Sequence, residues 1–312
     1  MATVELRGPG TIGSDRLIAS HAAHGELAAA LADLLAARGF APRHAPLAEL
    51  HGHLPSGAAE LDDTYMNAVT RSFYVLDERV HAAYRRLIAE TVRSVLDCDV
   101  LFQAAPIVRF HPPARFPPTL RTATGQGSQF HSDILGGHPV RMINGWLALT
   151  PTFGTNALHL AGLPASIAIL EAFAAGWAPE AGNLAGTLAG FYAAQRDDAA
   201  FAGRVAAACT SLAMAPGDLV LFDARCIHGG AENVETATRV SLDFRLVPLP
   251  DEPGEFEATL AAAHPRWRRG EILDAGSAHA LAGNRPTING RDAASTAKPV
   301  TAGGWTGASS SR

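Results

Sequence analysis

The sequence has little cysteine, and it has no long apolar run. Its 312 residues include three cysteines, too few and too scattered for a disulfide framework, which favours a reducing cytoplasm. No apolar stretch reaches the ~18 residues that a membrane span requires. Residues 1–10 lack the basic and apolar regions of a secretory signal. We therefore expect a cytoplasmic protein with no membrane partner.

Lysine is almost absent, and positive charge is nowhere concentrated. Lys298 is the one lysine, the remaining basic residues are arginines, and the formal net charge is −5. Binding to a nucleic-acid backbone requires clustered positive charge, so no nucleic-acid partner is expected. Hydrophobic residues make up 47% of the chain and charged residues 18%, a composition typical of a globular protein with a sizeable core.

The first part of the chain, residues 1–98, predicts helices packed on a core. Leucines recur at helical spacing between Gly25 and Gly39, and Gly39 stands where a C-terminal cap is expected. A second amphipathic stretch follows Asp77, and its apolar stripe comprises Val80, Tyr84, Leu87, Ile88, Val92 and Val95.

From residue 99 to about residue 250, short β-like runs alternate with turn residues. This pattern predicts a mainly β fold with flanking helices, in which the core is a sandwich or a double-stranded barrel. A helical insertion is expected at about 171–213, a C-terminal helical extension at 251–284 and a disordered tail at 285–312. The expected strands are Val100–Phe102, Ile107–Phe110, Leu120–Ala123, Gln129–Asp133, Val140–Leu149, Ile167–Leu170, Leu219–Phe222 and Val240–Val247.

Most of the 13 histidines are expected at the surface or in ordinary hydrogen bonds. The segment His131-Ser132-Asp133 differs, because residues two apart in a strand point to the same face. His228 follows a later strand. Two histidines and one carboxylate on one side of a metal leave adjacent coordination positions open, as in non-heme Fe(II) oxygenases. A structural zinc site needs a fourth ligand, for which Cys226 is the nearby candidate.

The run from Arg239 to Arg245 alternates strictly between polar and apolar residues. Its polar face carries Arg239, Ser241, Asp243 and Arg245. A polar face inside a barrel needs a ligand or partners to offset its desolvation, and a guanidinium can hold a carboxylate through two parallel hydrogen bonds. The alternative is an edge strand whose polar face lies in solvent.

Four segments occur in the same order as in a known family. They are Phe130-His131-Ser132-Asp133, Gly154-Thr155-Asn156-Ala157-Leu158, His228-Gly229-Gly230 and Thr238–Arg245. Over about residues 105–250 the chain resembles the Fe(II)/2-oxoglutarate-dependent oxygenases. Within them it is most similar to the phytanoyl-CoA dioxygenase-like branch associated with streptomycin-type natural-product biosynthesis. The fold implied is a double-stranded β-helix, the cupin-like jelly roll.

The resemblance implies a role for each motif residue. His131, Asp133 and His228 would bind Fe(II), Arg239 would hold the distal carboxylate of 2-oxoglutarate with help from Ser241, and Thr155 is a weaker candidate for the same carboxylate. O₂ would be the second cosubstrate. Related halogenases lack the carboxylate ligand, so its presence favours hydroxylation or another oxidation of a small polar metabolite, such as an amino acid or a natural-product intermediate.

Residues for the oxidised substrate are suggested only by their positions near the expected barrel strands: Arg121, Gln129, Asn144, Trp146 and Arg245. Trp146 fits core packing equally well, and Arg245 fits either a substrate carboxylate or support of Asp243. A cupin-like isomerase or binding protein that does not use O₂ is the alternative function, and a nucleic-acid dealkylating oxygenase is a weaker one. Association into a homodimer is left open.

Overall fold

The computed structural model describes residues 16–55, 57–58, 67–73, 78–103, 105–113, 130–138, 141–176, 184–248, 287–288 and 291–292. The predicted strand at Leu120–Ala123 and the predicted extension at 251–284 lie outside these ranges. None of the helices within the ranges combines the length and the apolar character that crossing a membrane requires.

Two antiparallel sheets form the core, which confirms the predicted β core with flanking helices. The larger sheet has the strand order β1-β7-β4-β9-β2, and β3 also pairs with β9. Its strands are β1 (Arg16–Ser20), β2 (Val100–Phe102), β3 (Ile107–His111), β4 (Ile143–Ala148), β7 (Asp218–Asp223) and β9 (Arg239–Pro248). The smaller sheet has the order β6-β5-β8 and comprises β5 (His159–Ala161), β6 (Cys209–Ser211) and β8 (His228–Gly229).

Alternation along the strands separates the two faces of the larger sheet. On β9, Val240, Leu242, Phe244 and Leu246 join the main hydrophobic core, while Arg239, Ser241, Asp243 and Arg245 point to the opposite face. That opposite face packs against the smaller sheet. The apolar cluster between the sheets comprises Trp146, Ala148, Leu158, Leu160, Leu212, Met214, Val220, Phe222 and Cys226.

Helices from the first part of the chain cover the outer face of the larger sheet. They are α1 (His24–Ala37), α2 (Ala68–Ser72) and α3 (Glu78–Arg86), which continues through a π-helical turn at Leu87–Val92 into α4 (Arg93–Leu96). The predicted leucines of α1 are buried, as are all the predicted stripe residues after Asp77 except the half-buried Val95. Each fully buried leucine contributes about 1.5–3 kcal/mol to stability.

One glycine of the larger sheet allows a close approach within this core. The ring of Phe244 on β9 lies over the backbone of Gly145 on β4, too close for any Cβ atom at that position. Phe244 also contacts Tyr84 of α3, with ring centroids 5.7 Å apart. The absence of a side chain at Gly145 therefore lets the sheet and the helical layer share one aromatic contact.

The helical insertion consists of α5 (Leu163–Gly176), α6 (Leu184–Asp197) and α7 (Ala199–Ala208). It begins earlier than predicted, because Ile167–Leu170 lies within α5 and is not a strand. A four-residue apolar run cannot distinguish a strand from a buried helix segment. Phe173, Phe191 and Phe201 join the three helices in one cluster, which also contains Phe130 and Ile227 beside the two histidine motifs.

Three further features of the structure were not predicted. The region 1–98 is not wholly helical, because the edge strand β1 pairs with β7. Residues 130–133 form no strand either: His131 makes an isolated bridge, and Asp133 begins the 3₁₀ helix Asp133–Gly136. Within the predicted tail, β10 (Thr287–Ile288) and β11 (Arg291–Asp292) form a short antiparallel pair.

Candidate metal centre

Side chains from two separate segments of the chain converge at one end of the space between the sheets. A potential ligand atom from each of His131, Asp133 and His228 lies within 4.8 Å of the other two. Nε2 of His131 is 3.4 Å, and Nε2 of His228 is 3.9 Å, from Oδ1 of Asp133. Two nitrogens and one oxygen therefore face a common point.

The backbone explains why these residues meet. His131 and His228 form an antiparallel bridge in which each amide donates to the other's carbonyl, at 2.9 and 2.8 Å. Side chains directly opposite in such a pair are neighbours, and the two imidazole centroids are 4.6 Å apart. Ser132 is extended and buried, and its hydroxyl donates to the carbonyl of Ala224 at 2.9 Å. The chain then turns into the 3₁₀ helix, and this turn places Asp133 beside both rings.

His228 is held in an orientation suited to metal binding. Its Nδ1 lies 3.1 Å from the carbonyl oxygen of Cys226, which accepts a hydrogen bond from an Nδ1–H. This tautomer leaves a lone pair on Nε2, the atom that faces Asp133. Burial, followed by the neighbouring His131, lowers the pKa of His228 to about 4. The imidazole is therefore neutral at neutral pH, as a metal ligand must be.

Asp133 is buried and ionised. Burial alone would raise the pKa of its carboxyl group, but Arg245 and the hydrogen bond with His131 hold that pKa well below its usual value. Nε of Arg245 donates to Oδ2 of Asp133 at 2.8 Å. Arg245 was expected to bind a substrate carboxylate or to support Asp243, whereas its carboxylate contact here is with Asp133. Asp243 pairs instead with Arg109 of β3.

Arg239 points into the protein, as predicted, and is only 7% exposed. Its Nη1 donates to the carbonyl of Asn156 at 3.2 Å, and its guanidinium lies 5.9 Å from the ring centre of Trp146. Its Nε has no hydrogen-bond partner among the described residues. Burial, opposed by Asp243, lowers the pKa of Arg239 to about 10, so the group keeps its charge at neutral pH. A buried guanidinium with an unused donor fits an anionic ligand.

Ser241 and Thr155 occupy different environments. Ser241 is fully buried, and its hydroxyl donates to Oδ1 of Asp243 at 3.4 Å. The hydroxyl of Thr155 donates to the carboxylate of Glu235 and accepts from the amide of Val234, both at 2.9 Å. Thr155 thus joins two loops, and the contact with Arg239 comes from the backbone of the next residue, Asn156.

The predicted substrate residues divide into two groups. Asn144 and Trp146 are buried on the inner face of β4. The Nδ2 atom of Asn144 has no partner among the described residues. Trp146 belongs to the apolar cluster between the sheets. Trp146 therefore packs in the core, although it also contacts Arg239. Arg121 and Gln129 lie outside the described residues.

Three site residues were given no role by the sequence. His111 lies opposite Arg239 in the β3–β9 pair, and Asn156 contacts Arg239 from the 3₁₀ turn Gly154–Asn156. The alternation of Arg109 and His111 with Val108 and Phe110 could have indicated an inward polar face on β3. Tyr192 of α6 lies 6.1 Å from His131, centroid to centroid, and no sequence signal pointed to it.

Cys226 is not part of the potential metal-binding group. Within the described ranges, the potential metal-binding group consists of His131, Asp133 and His228. Cys226 is buried in the apolar cluster between the sheets. The described ligand set is therefore that of an open site rather than of a four-coordinate structural zinc site.

No protein-family model matches the chain, and no curated protein matches it. Similar solved structures include a nickel complex of the non-heme monooxygenase ThoJ, with 15% identity, a TM-score of 0.40 and coverage of 75% of this chain and 74% of that chain. EctD from S. alaskensis with 2-oxoglutarate and 5-hydroxyectoine has 12% identity, a TM-score of 0.43 and coverage of 76% and 73%. The α-ketoglutarate-dependent carbocyclase SnoK from nogalamycin biosynthesis has 12% identity, a TM-score of 0.38 and coverage of 84% and 89%. Likenesses at these identities and TM-scores assign neither a reaction nor a substrate to this chain.

Proposed function

We propose that this protein is an Fe(II)- and 2-oxoglutarate-dependent dioxygenase that oxidises a small polar metabolite, most simply by hydroxylation. The observation that carries the proposal is the combination of two features in one interior. One is the open His131–Asp133–His228 group, and the other is the buried, incompletely hydrogen-bonded guanidinium of Arg239. A cupin-like isomerase or binding protein has use for the first feature but not for the second.

The residues present fit a ferrous ion. Two imidazole nitrogens and one carboxylate oxygen are the ligands of the facial triad, which leaves three adjacent positions for other ligands. A bound Fe(II) would supply the activation of O₂ that is coupled to oxidative decarboxylation of a 2-oxo acid. His131, Asp133 and His228 would hold the ion, and the bond from Arg245 would keep Oδ2 of Asp133 turned away from it.

The residues also fit 2-oxoglutarate. Arg239 would bind the carboxylate remote from the keto group, because its guanidinium is buried and lies in the same interior as the triad. Ser241 on the same face of β9 is the expected assistant. The protein thereby fixes the position of the cosubstrate and excludes water from it, which are the contributions expected of a protein around a reactive cofactor.

Fewer contacts in the structure bear on the kind of substrate that is oxidised. Tyr192 of α6 lies beside His131, and Gln195 of the same helix donates to the carbonyl of Phe130 at 2.9 Å. The helical insertion therefore forms a wall next to the metal centre, where a small molecule would bind. The Nε of Arg245 is engaged by Asp133, and that contact does not itself favour an acidic substrate. An amino acid or a natural-product intermediate remains the proposed class.

Turnover of 2-oxoglutarate without added substrate tests the proposal directly. Purified protein with Fe(II) and ascorbate in air should slowly convert 2-oxoglutarate into succinate, and a panel of amino acids and sugar precursors should include one that accelerates it. His131→Ala is the control. Succinate release no greater than that of His131→Ala, with and without the panel, would contradict the assignment.

A further inference from the structure

Three buried side-chain nitrogens, on Arg239 and on two residues that contact or face it, lack partners among the described residues. They are Nε of Arg239, Nδ2 of Asn156 and Nδ1 of His111. Asn156 is fully buried, and Arg239 nearly so. Leaving a buried polar group without a hydrogen bond costs about 1–3 kcal/mol. Three such groups on neighbouring residues indicate a ligand.

The fold brings these groups together from three segments. β3 and β9 place His111 directly opposite Arg239. The carbonyl of Asn156 accepts from Nη1 of Arg239 at 3.2 Å. A Cβ atom added to Gly230 would have two neighbours within 4 Å, Nη1 of Arg239 at 3.8 Å and Cε1 of His111 at 3.9 Å. The guanidinium and the imidazole thus border the same small space.

All three nitrogens can donate to an anion. The guanidinium and the carboxamide carry N–H groups permanently, and a neutral imidazole carries one on Nδ1 in the corresponding tautomer. Asp243, the acidic residue on the same face of β9, is paired with Arg109, so its charge is already balanced. The local charge is therefore that of one guanidinium, which matches a single carboxylate.

The carboxamide of Asn156 and the backbone that carries His111 are held in place before a ligand arrives. Oδ1 of Asn156 accepts from the amide of Phe153 at 2.8 Å, so the remaining carboxamide nitrogen has a fixed direction. Nδ2 of Asn233 donates to the backbone carbonyl of His111 at 2.9 Å and ties the end of β3 to the loop before β9. Donors fixed in advance lose less entropy on binding.

We infer that Arg239, Asn156 and His111 form a three-donor cradle for the remote carboxylate of a 2-oxo dicarboxylic acid. His111 and Asn156 are then specificity residues that favour 2-oxoglutarate over 2-oxo monocarboxylic acids. This inference rests on the proposed function and adds to it two residues to which the resemblance gave no role.

The test compares 2-oxoglutarate with pyruvate, which has the same keto-acid end and no remote carboxylate. Binding of each to the Ni(II)-loaded protein is measured by calorimetry in wild type, His111→Leu, His111→Asn and Asn156→Asp. Asp at position 156 keeps the oxygen that accepts from Phe153 and replaces the donor with a negative charge. His44→Gln, a change at an exposed histidine, is the matched control.

His111→Leu should weaken 2-oxoglutarate binding by about 10-fold to 100-fold, the usual worth of a hydrogen bond to a charged group, and leave pyruvate and Ni(II) binding unchanged. His111→Asn should recover part of the loss, and Asn156→Asp should lose at least as much as His111→Leu. His44→Gln should match wild type.

The outcomes separate the two levels of the hypothesis. If wild type does not bind 2-oxoglutarate more tightly than pyruvate, the proposed function itself fails. If wild type discriminates but neither the His111 variants nor Asn156→Asp change that preference, the function stands and the cradle is wrong. A second measurement covers poor folding of one variant: glutarate should raise the Tm of the metal-free wild type and should raise it less in any folded cradle variant.

Discussion

Arg245 donates a hydrogen bond from Nε to Oδ2 of Asp133, while Oδ1 of the same carboxylate faces His131 and His228. The two oxygens of Asp133 thus have separate roles, one in orientation and the other toward the metal. Groups that orient a metal ligand typically contribute 10-fold to 100-fold to metal affinity. Arg245 should therefore determine how firmly the site holds its ion, although it is not itself a ligand.

Replacing Arg245 with Met keeps much of the side-chain length and removes the donor. We expect Arg245→Met to bind Ni(II) or Co(II) about 10-fold to 100-fold more weakly by calorimetric titration. Arg245→Lys should be intermediate, because it restores the charge but not the planar donor group. Arg196→Met, at an exposed arginine paired with Asp197, is the control. Unchanged metal affinity in Arg245→Met would show that the bond is incidental.

Arg239 should act on the cosubstrate and not on the metal. Arg239→Ala should raise the apparent KM for 2-oxoglutarate by 100-fold or more, since charge-assisted paired hydrogen bonds are about twice as strong as neutral ones. Its Ni(II) affinity should match that of wild type, because the guanidinium does not contact the triad. Steady-state succinate formation and metal titration together check this. Loss of metal binding as the main effect would mean that the role assigned to Arg239 is wrong.

Gly145 should be intolerant of a side chain. The ring of Phe244 occupies the position of a Cβ atom there, so Gly145→Ala must displace the ring from its contact with Tyr84. We expect the free energy of unfolding to fall by about 1–3 kcal/mol, the usual cost of overpacking. Gly203→Ala is the control, because Gly203 is exposed on α7 and a Cβ atom there meets nothing. That variant should gain about 0.5–1 kcal/mol. Urea unfolding measures both, and equal stability of wild type and Gly145→Ala would contradict the packing.

Acid should destabilise the metal-free protein partly through His111. Burial, followed by Arg239 and Arg109, holds the pKa of His111 well below its usual value. The unfolded chain binds a proton at this residue below about pH 6.5, and the folded protein does not. Its contribution is therefore fully present above that pH and declines as the pH falls, by up to about 1.4 kcal/mol per pH unit.

Urea unfolding of the metal-free protein between about pH 7.5 and pH 5 measures this contribution. His111→Gln should show a shallower decline of the unfolding free energy than wild type, and the exposed-site variant His44→Gln should show the same decline as wild type. Buried His21 also has a lowered pKa, so the difference between variants is the quantity of interest. Parallel curves for wild type and His111→Gln would refute the prediction.

The sequence was most informative where a local pattern alone determines the geometry. Strict alternation on β9 predicted which side chains face inward, and helical spacing predicted the buried faces of α1 and α3. The sequence also predicted that His131 and Asp133 lie on the same side. A bridge and a 3₁₀ turn, not a strand, bring the two side chains together. Alternation and helical spacing depend on neighbours in sequence, and a single chain displays them directly.

The same patterns could not predict which distant segments contact one another. The contact of Arg245 with Asp133 depends on a turn far away in the chain, and the contact of Asn156 with Arg239 is made by a backbone carbonyl that any residue could supply. The strand β1 was missed because an exposed edge strand has weak alternation, as the 56% exposure of Ile18 shows. Ile167–Leu170 was misassigned because short apolar runs suit either type of element.

Strand β9 pairs with β2, β3 and β4, and it carries Arg239 and Arg245 on one side and the main core residues on the other. Deleting or inserting one residue between the two arginines would reverse the orientation of every later side chain, sending Arg245 into the apolar layer and Phe244 or Leu246 toward His131, Asp133 and His228. This segment can therefore diverge over evolution by exchange of side chains but not by change of length. Engineering of new specificity should accordingly alter the length of other segments and leave the ten residues of β9 intact.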